Sequence, residues 1–180
     1  MDLEEHVESS ETLYDGVIVR LERQQVRLPN GEAATREIVR HAGAVGILAL
    51  TDADHMILER QWRAPAAKAT LEIPAGKLDS RDADNIEHAV RRELNEEIRY
   101  EPGTLKRITG FYSSVGFSDE YMTLFMATDL TPVKTELPRD QGENLELSTV
   151  TKTQAQAMIA SGEIEDAKTI MAIYYWLLQK

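Results

Sequence analysis

The chain has 180 residues, enough for one domain or for one domain with an appendage, and 42% of them are hydrophobic, which suffices for a core. Acidic residues outnumber lysine and arginine by 31 to 20, a formal net charge of -11. That balance argues against a nucleic-acid backbone as partner and means that an anionic ligand needs local help from a cation or from arginines. Cysteine is absent, which excludes disulfides and thiolate metal sites and points to a cytoplasmic setting.

The opening residues, MDLEEHVESSE, are acidic and lack the apolar centre of a signal peptide. Residues 12–28 read as extended, with Val17, Val19 and Leu21 alternating before Val26 and Leu28. Pro29-Asn30-Gly31 is a turn signal and 35–40 alternates back, which predicts an antiparallel hairpin. Residues 44–50 form a buried apolar strand, Asp52-Ala53-Asp54 turns the chain, and 56–63, MILERQWR, is a second strand. Farther on, strands at 105–112 and 121–130 flank the loop SSVGFSDE. Residues 131–142 have no apolar period, and long loops of this kind are functional or mobile. After a last strand, two helices are predicted at 151–161, stopped by Gly162, and at 165–179, whose apolar face reads as core. The apolar run 167–178 is too short and too interrupted to span a bilayer.

The chemistry concentrates in residues 71–100, LEIPAGKLDSRDADNIEHAVRRELNEEIRY. Stepping about 100° per residue along 84–99 puts Ile86, Ala89, Val90 and Leu94 on one apolar arc, with Ile98 at its margin. Asp84, His88, Arg91, Arg92, Asn95 and Arg99 fall on the opposite, wet side. Glu93 and Glu97 fall within the apolar arc, one turn apart, and neither has a basic residue at helical spacing. Like charges so placed cost a helix about 0.2–0.5 kcal/mol, and half-burying an unpaired carboxylate costs more. Glu96 differs, with Arg92 and Arg99 one turn to either side. A solvated charged face explains Glu93 and Glu97 poorly. A hard divalent cation, which takes carboxylate oxygens, explains them better, and the irregular backbone at Pro74-Ala75-Gly76 can add a carbonyl oxygen.

Gly76 followed by Arg92-Glu93-Leu94-Asn95-Glu96-Glu97 resembles the Nudix box, a glycine followed by REUxEE. Sixteen positions separate Gly76 from Arg92, two more than is usual for that family, so the loop at 79–84 is longer. Arg99 stands where the box has a glycine, and Asp84 is where its upstream acid would fall. Gln61-Trp62-Arg63, the run Leu71-Glu72-Ile73-Pro74-Ala75-Gly76, the loop SSVGFSDE and Asp166-Ala167-Lys168-Thr169 are similar to segments of the ADP-ribose pyrophosphatase branch, so the resemblance covers nearly the whole chain.

The resemblance implies an α/β fold, an α/β/α Nudix sandwich with a mixed sheet over residues 42–180, and an N-terminal antiparallel β appendage over 1–41, exchanged between the subunits of a homodimer. It implies hydrolysis of ADP-ribose to AMP and ribose 5-phosphate with Mg²⁺, or Mn²⁺ in its place. The Ala75 carbonyl, Glu93, Glu96 and Glu97 would hold the metals, and Arg92 would orient the carboxylates. Glu143 would serve as base, with Asp140 or Glu146 as alternatives. Arg63, Arg36, Arg40, Glu120 and Glu72 are the candidates for contact with substrate, a small nucleoside diphosphate sugar; neither a nucleic acid nor a membrane is expected as partner. The rival expectations are the same chemistry on another nucleoside diphosphate sugar, and an ADP-ribose sensor that does not cleave.

Overall fold

A computed structural model describes residues 3–82 and 85–179. The backbone divides into two units, Met1–Gly43 with Gly110–Met122, and Ala44–Thr109 with Thr123–Lys180.

The first unit is built on a three-stranded antiparallel sheet of β1 (His6–Asp15), β2 (Val19–Arg27) and β3 (Ala33–His41), in that order. The predicted hairpin is therefore β2–β3, turned at Gly31 with φ 86. An additional strand occupies the acidic N-terminal segment; only its end, 12–15, lies in the stretch expected to be extended, and the chain breaks at 16–18, where Val17 is exposed rather than part of the alternation. The residues of β1 are exposed along its whole length, so no inward apolar face marks it in the sequence. The inward face of β2 is itself largely polar, with Glu22, Gln24 and Val26 buried. Glu22 is tolerated there because Arg20 and Arg40 both pair with it.

The second unit contains β4 (Ala44–Ala49), β5 (Met56–Arg63), β6 (Lys68–Glu72) and β7 (Ala75–Lys77). The helix α1 (Ile86–Glu93) runs on into a π-helical turn, Leu94–Ile98. Then come β8 (Tyr100–Tyr112) and β9 (Tyr121–Pro132), whose far ends belong to the first unit, then β10 (Glu146–Val150), α2 (Lys152–Ser161) and α3 (Ala167–Leu178). Two sheets result, ordered β7-β4-β9-β8 and β10-β5-β6. All six residues of β4 are buried, because α1 packs against it and so does α3. A strand covered on both faces reads as a continuous apolar run, as AVGILA does. The core joins Val45, Ile47 and Ala49 of β4 and Ile57 of β5 to Ala89, Val90, Leu94 and Ile98 of the helix. These are the residues of the predicted apolar arc, so the helix presents that face as expected.

Caps fix the helix ends. Asn85 accepts from the Glu87 N–H at the start of α1, Thr151 and Gln154 form a capping box on α2, and Asp166 caps α3 through Thr169. Thr169 also accepts from the Ile73 N–H at 2.9 Å, tying α3 to the chain just ahead of β7. Among the described residues no helix is long and apolar enough to cross a membrane.

Candidate active site

Glu93, Glu96 and Glu97 are 7%, 3% and 2% exposed. The inward placement expected of Glu93 and Glu97 holds, but the wet side does not: Arg92 is 5% exposed. The reason is the long loop before α1. Its 3₁₀ turn, Ser80–Asp82, folds over the helix, and Asp82 accepts from Arg92 Nε and Nη2 at 3.0 and 3.1 Å. Arg92 Nη1 also donates to Glu93 at 2.6 Å and to Glu96 at 2.9 Å, and Nη2 to the Lys77 carbonyl. Glu93 thus does have a basic partner, the adjacent residue, which counting by helical turns overlooks. Glu96 takes its second partner from Arg81 at 3.1 Å, not from Arg99 as expected. Asp84 lies outside the described residues.

Among the described residues no cation pairs directly with Glu97; it accepts from the Ala75 N–H at 3.0 Å. Ala75 therefore meets the acids through its amide as well as lying beside Gly76. A Cβ at Gly76 would overlap the Glu93 carboxylate, so any side chain there would displace it from its present position.

The π turn and its cap bind the loop that precedes β10. Arg99 caps the turn with φ 66, a left-handed conformation that costs a residue other than glycine roughly 1–2 kcal/mol. Its guanidinium offsets this by donating to the Leu137 carbonyl at 2.5 Å and the Asn95 carbonyl at 3.0 Å. Asn95 bonds the Thr135 carbonyl and the Leu137 N–H. Arg139 donates to the carbonyls of Glu96 and Glu97 at 3.1 and 2.9 Å. This loop carries Glu143, half-buried, with its carboxylate accepting from the Asp140 N–H.

A further acid converges here that sequence reasoning missed. Glu59 on β5 is fully buried, and its two carboxylate oxygens have no hydrogen-bond partner. Its signal was present: it is the inward residue two places after the core residue Ile57, an acid where the strand alternation calls for an apolar group. Glu72 lies opposite it on β6. Glu72 is gripped by Arg63 through two bonds of 2.7 Å, by Thr70 and by Lys168.

Burial raises the carboxyls of this group. Glu93 is pushed up to about 7 by burial, against the pull of Arg92. Glu59 rises to about 8 through burial and the Glu72 charge. Glu97 is held well above the ordinary range by burial and by the charges of Glu59, Glu93 and Glu143, and burial raises Glu143 as well. Glu72 and Asp82 go the other way: burial opposes ionisation, but Arg63 and Lys168 hold Glu72 down to about 2, and Arg92 does the same for Asp82.

The sign of the pH dependence follows. From the ordinary value of 4.5 up to about 7 for Glu93 and about 8 for Glu59, the native carboxyls keep protons that the unfolded chain has released, so stability falls as pH rises through that window. Between about 2 and the ordinary range, Asp82 and Glu72 act oppositely, and stability rises with pH. In a chelating buffer the melting temperature should therefore decline from pH 5 to pH 8, and added divalent cation should flatten the decline. A flat profile in chelator would contradict the buried-acid account.

Comparison with known proteins places this geometry. A family model described as NUDIX domain matches residues 40–173. The chain belongs to the Nudix family. A second model, the nucleoside diphosphate sugar hydrolase N-terminal domain, matches residues 5–39 of this Nudix protein. It is 40% identical to an ADP-ribose pyrophosphatase of Bacillus subtilis over 99% of this chain and 95% of that one. It is 36% identical to a methanol dehydrogenase activator of Bacillus methanolicus, over 98% and 95%. A crystal structure of an ADP compounds hydrolase superposes with a TM-score of 0.86 at 22% identity, covering 98% of this chain and 96% of that one, which establishes the α/β Nudix fold.

Glu59, Glu93, Glu97 and Glu143 offer this Nudix protein hard oxygen donors, and the unsatisfied buried oxygens of Glu59 mark where a positive charge is wanted, so the set fits a divalent cation. The acids are spread rather than clustered: among the described residues no three acidic or imidazole side chains are drawn into a ready cage. Glu93 is turned to Arg92 and Glu97 to a backbone amide. The remaining candidates, Arg36, Arg40 and Glu120, lie in the first unit, each already paired. Arg36 is bonded to Glu5, Arg40 to Glu22 and Asp119, and Glu120 to Ser113 and His41.

Proposed function

We propose that this Nudix protein hydrolyses the diphosphate of ADP-ribose, releasing AMP and ribose 5-phosphate, with Mg²⁺ as its cation and Mn²⁺ as a substitute. The observation that carries the reading is the buried Glu93–Glu97 pair on one helical turn. It is joined by full-length similarity to an ADP-ribose pyrophosphatase.

Glu93, Glu96 and Glu97, with the Ala75 carbonyl, would hold the cation, which when bound neutralises diphosphate charge and lowers the pKa of coordinated water. Arg92 keeps Glu93 and Glu96 in place through one guanidinium. Glu143 accepts the proton of the attacking water; its carboxyl, raised by burial, is better matched to neutral pH than an ordinary glutamate. Arg63 presents a planar fork suited to a diphosphate and is oriented by Glu72. The substrate contacts of Arg36, Arg40 and Glu120 belong to the same reading.

A homodimer that exchanges the N-terminal sheet is part of this proposal, as is a cytoplasmic location. The exposure of all ten residues of β1, with Val7, Leu13 and Tyr14 on its surface, supports it, because a bare edge strand invites pairing with another chain. The match of residues 5–39 to a nucleoside diphosphate sugar hydrolase domain favours a second reading, the same cleavage of another nucleoside diphosphate sugar.

The test is a substrate panel with Mg²⁺ and product identification. AMP and ribose 5-phosphate, formed at a kcat/KM well above that for UDP-glucose or GDP-mannose, is the expected result. Faster turnover of another sugar nucleotide would replace the substrate. Binding of ADP-ribose without any phosphate-ester product would replace the enzyme with a sensor.

A further inference from the structure

Glu59 has no structural occupation. Its carboxylate oxygens are the only side-chain nitrogen or oxygen atoms, among the described residues, that are buried without a hydrogen-bond partner. Losing the proton leaves an uncompensated charge in the interior, and keeping it leaves a hydroxyl with nothing to donate to. The cations nearest it are committed elsewhere. Arg63 and Lys168 both bond Glu72, and Lys168 bonds Asp166 besides. The cross-strand neighbour on β10 is Leu147, which offers nothing polar. A packing role would be filled better by an apolar residue.

Its direction is set by the strand. Ile57, two residues earlier on the same face of β5, packs in one core with Leu94 and Ile98 of the helix. Glu59 thus points to the helix side of the sheet. Of the charges that act on Glu97, that of Glu59 is the largest, ahead of Glu93, and Glu143 acts on Glu59 in turn. The acid stands across from the box glutamates, on a different element and with free oxygens.

We infer that Glu59 is an additional oxygen ligand for a divalent cation bound by the box acids, supplied by strand β5 opposite Glu97. The inference rests on the metal-dependent reading above and adds a ligand from outside the box. Its consequence is that the cation links β5 to the helix and relieves a buried carboxylate that the fold by itself leaves unsatisfied.

The test compares the parent, Glu59→Gln and Glu97→Gln for Mn²⁺ binding, read by electron paramagnetic resonance of free Mn²⁺, and for melting temperature in EDTA and in Mg²⁺. Glu59→Gln should melt in EDTA at or above the parent, bind Mn²⁺ at least about tenfold more weakly, and gain less from Mg²⁺. Should glutamine not be accommodated, Glu59→Leu removes the charge with an apolar group and carries the same expectations. Unchanged Mn²⁺ affinity in the Glu59 variant, with or without a lower melting temperature in EDTA, overturns the inference. If Glu97→Gln weakens binding in that case, the metal site survives without Glu59. If Glu97→Gln also binds as the parent does, the metal reading falls with it.

Discussion

Glu97→Gln should lower kcat on ADP-ribose at least about a hundredfold, more than the loss of a group that merely orients a ligand, while the protein stays folded. Glu97 is buried, faces the charges of Glu59, Glu93 and Glu143, and has a single backbone N–H as partner. A neutral amide of the same shape keeps an oxygen for that N–H and removes a charge that its neighbours repel. The melting temperature in chelator should therefore stay level or rise, the reverse of what an ordinary core substitution does. Steady-state kinetics with Mg²⁺, alongside thermal melts in EDTA, separates the two effects. Turnover within a few fold of the parent would remove Glu97 from the site chemistry.

Arg92→Met should be the most destabilising exchange in the site, by about 3–5 kcal/mol, the usual result of stripping one partner from a buried ionic group. One guanidinium serves Asp82, Glu93 and Glu96 and the Lys77 carbonyl. Removing it leaves three carboxylates facing one another in the interior. In a chain of this size the melting temperature should drop on the order of 10 °C. Lysine is no substitute, because a single ammonium cannot span a set of partners that a planar fork reaches at once. Urea denaturation of Arg92→Met and Arg92→Lys checks this; a loss under about 1 kcal/mol in both would mean that the acids relax to solvent or take up protons at little cost.

The apolar arc of α1, the run of β4 and the inward pair Glu93–Glu97 were legible because they are periodic, and periodicity survives without knowledge of the tertiary fold. What stayed hidden depends on chain segments far apart. Arg92 looks wet on a helical wheel and becomes buried only because the 3₁₀ turn at Ser80–Asp82 closes over it. Most of strand β1 could not be read because it is acidic and exposed along its whole length, with Val7, Leu13 and Tyr14 too scattered to mark an inward face. Arg139 gave no sign either; its role is set by carbonyls more than forty positions away. Arg99 stands where the box has a glycine, and it adopts the left-handed cap that a glycine would and adds a side chain that holds Leu137. Glu59 did show as an acid directly after the apolar residues Met56, Ile57 and Leu58, and it was passed over because Glu59, Arg60 and Gln61 together read as the polar end of the strand.

The anchoring of the 133–143 segment bears on how the molecule breathes. Because Asn95, Arg99 and Arg139 fasten that segment to the last turn of the helix, it has no hinge independent of that turn. Local opening there is a joint event, in which fraying of the helix end and release of Glu143 occur together. Solvent entry to the buried glutamates and escape of Glu143 would then share one opening rate.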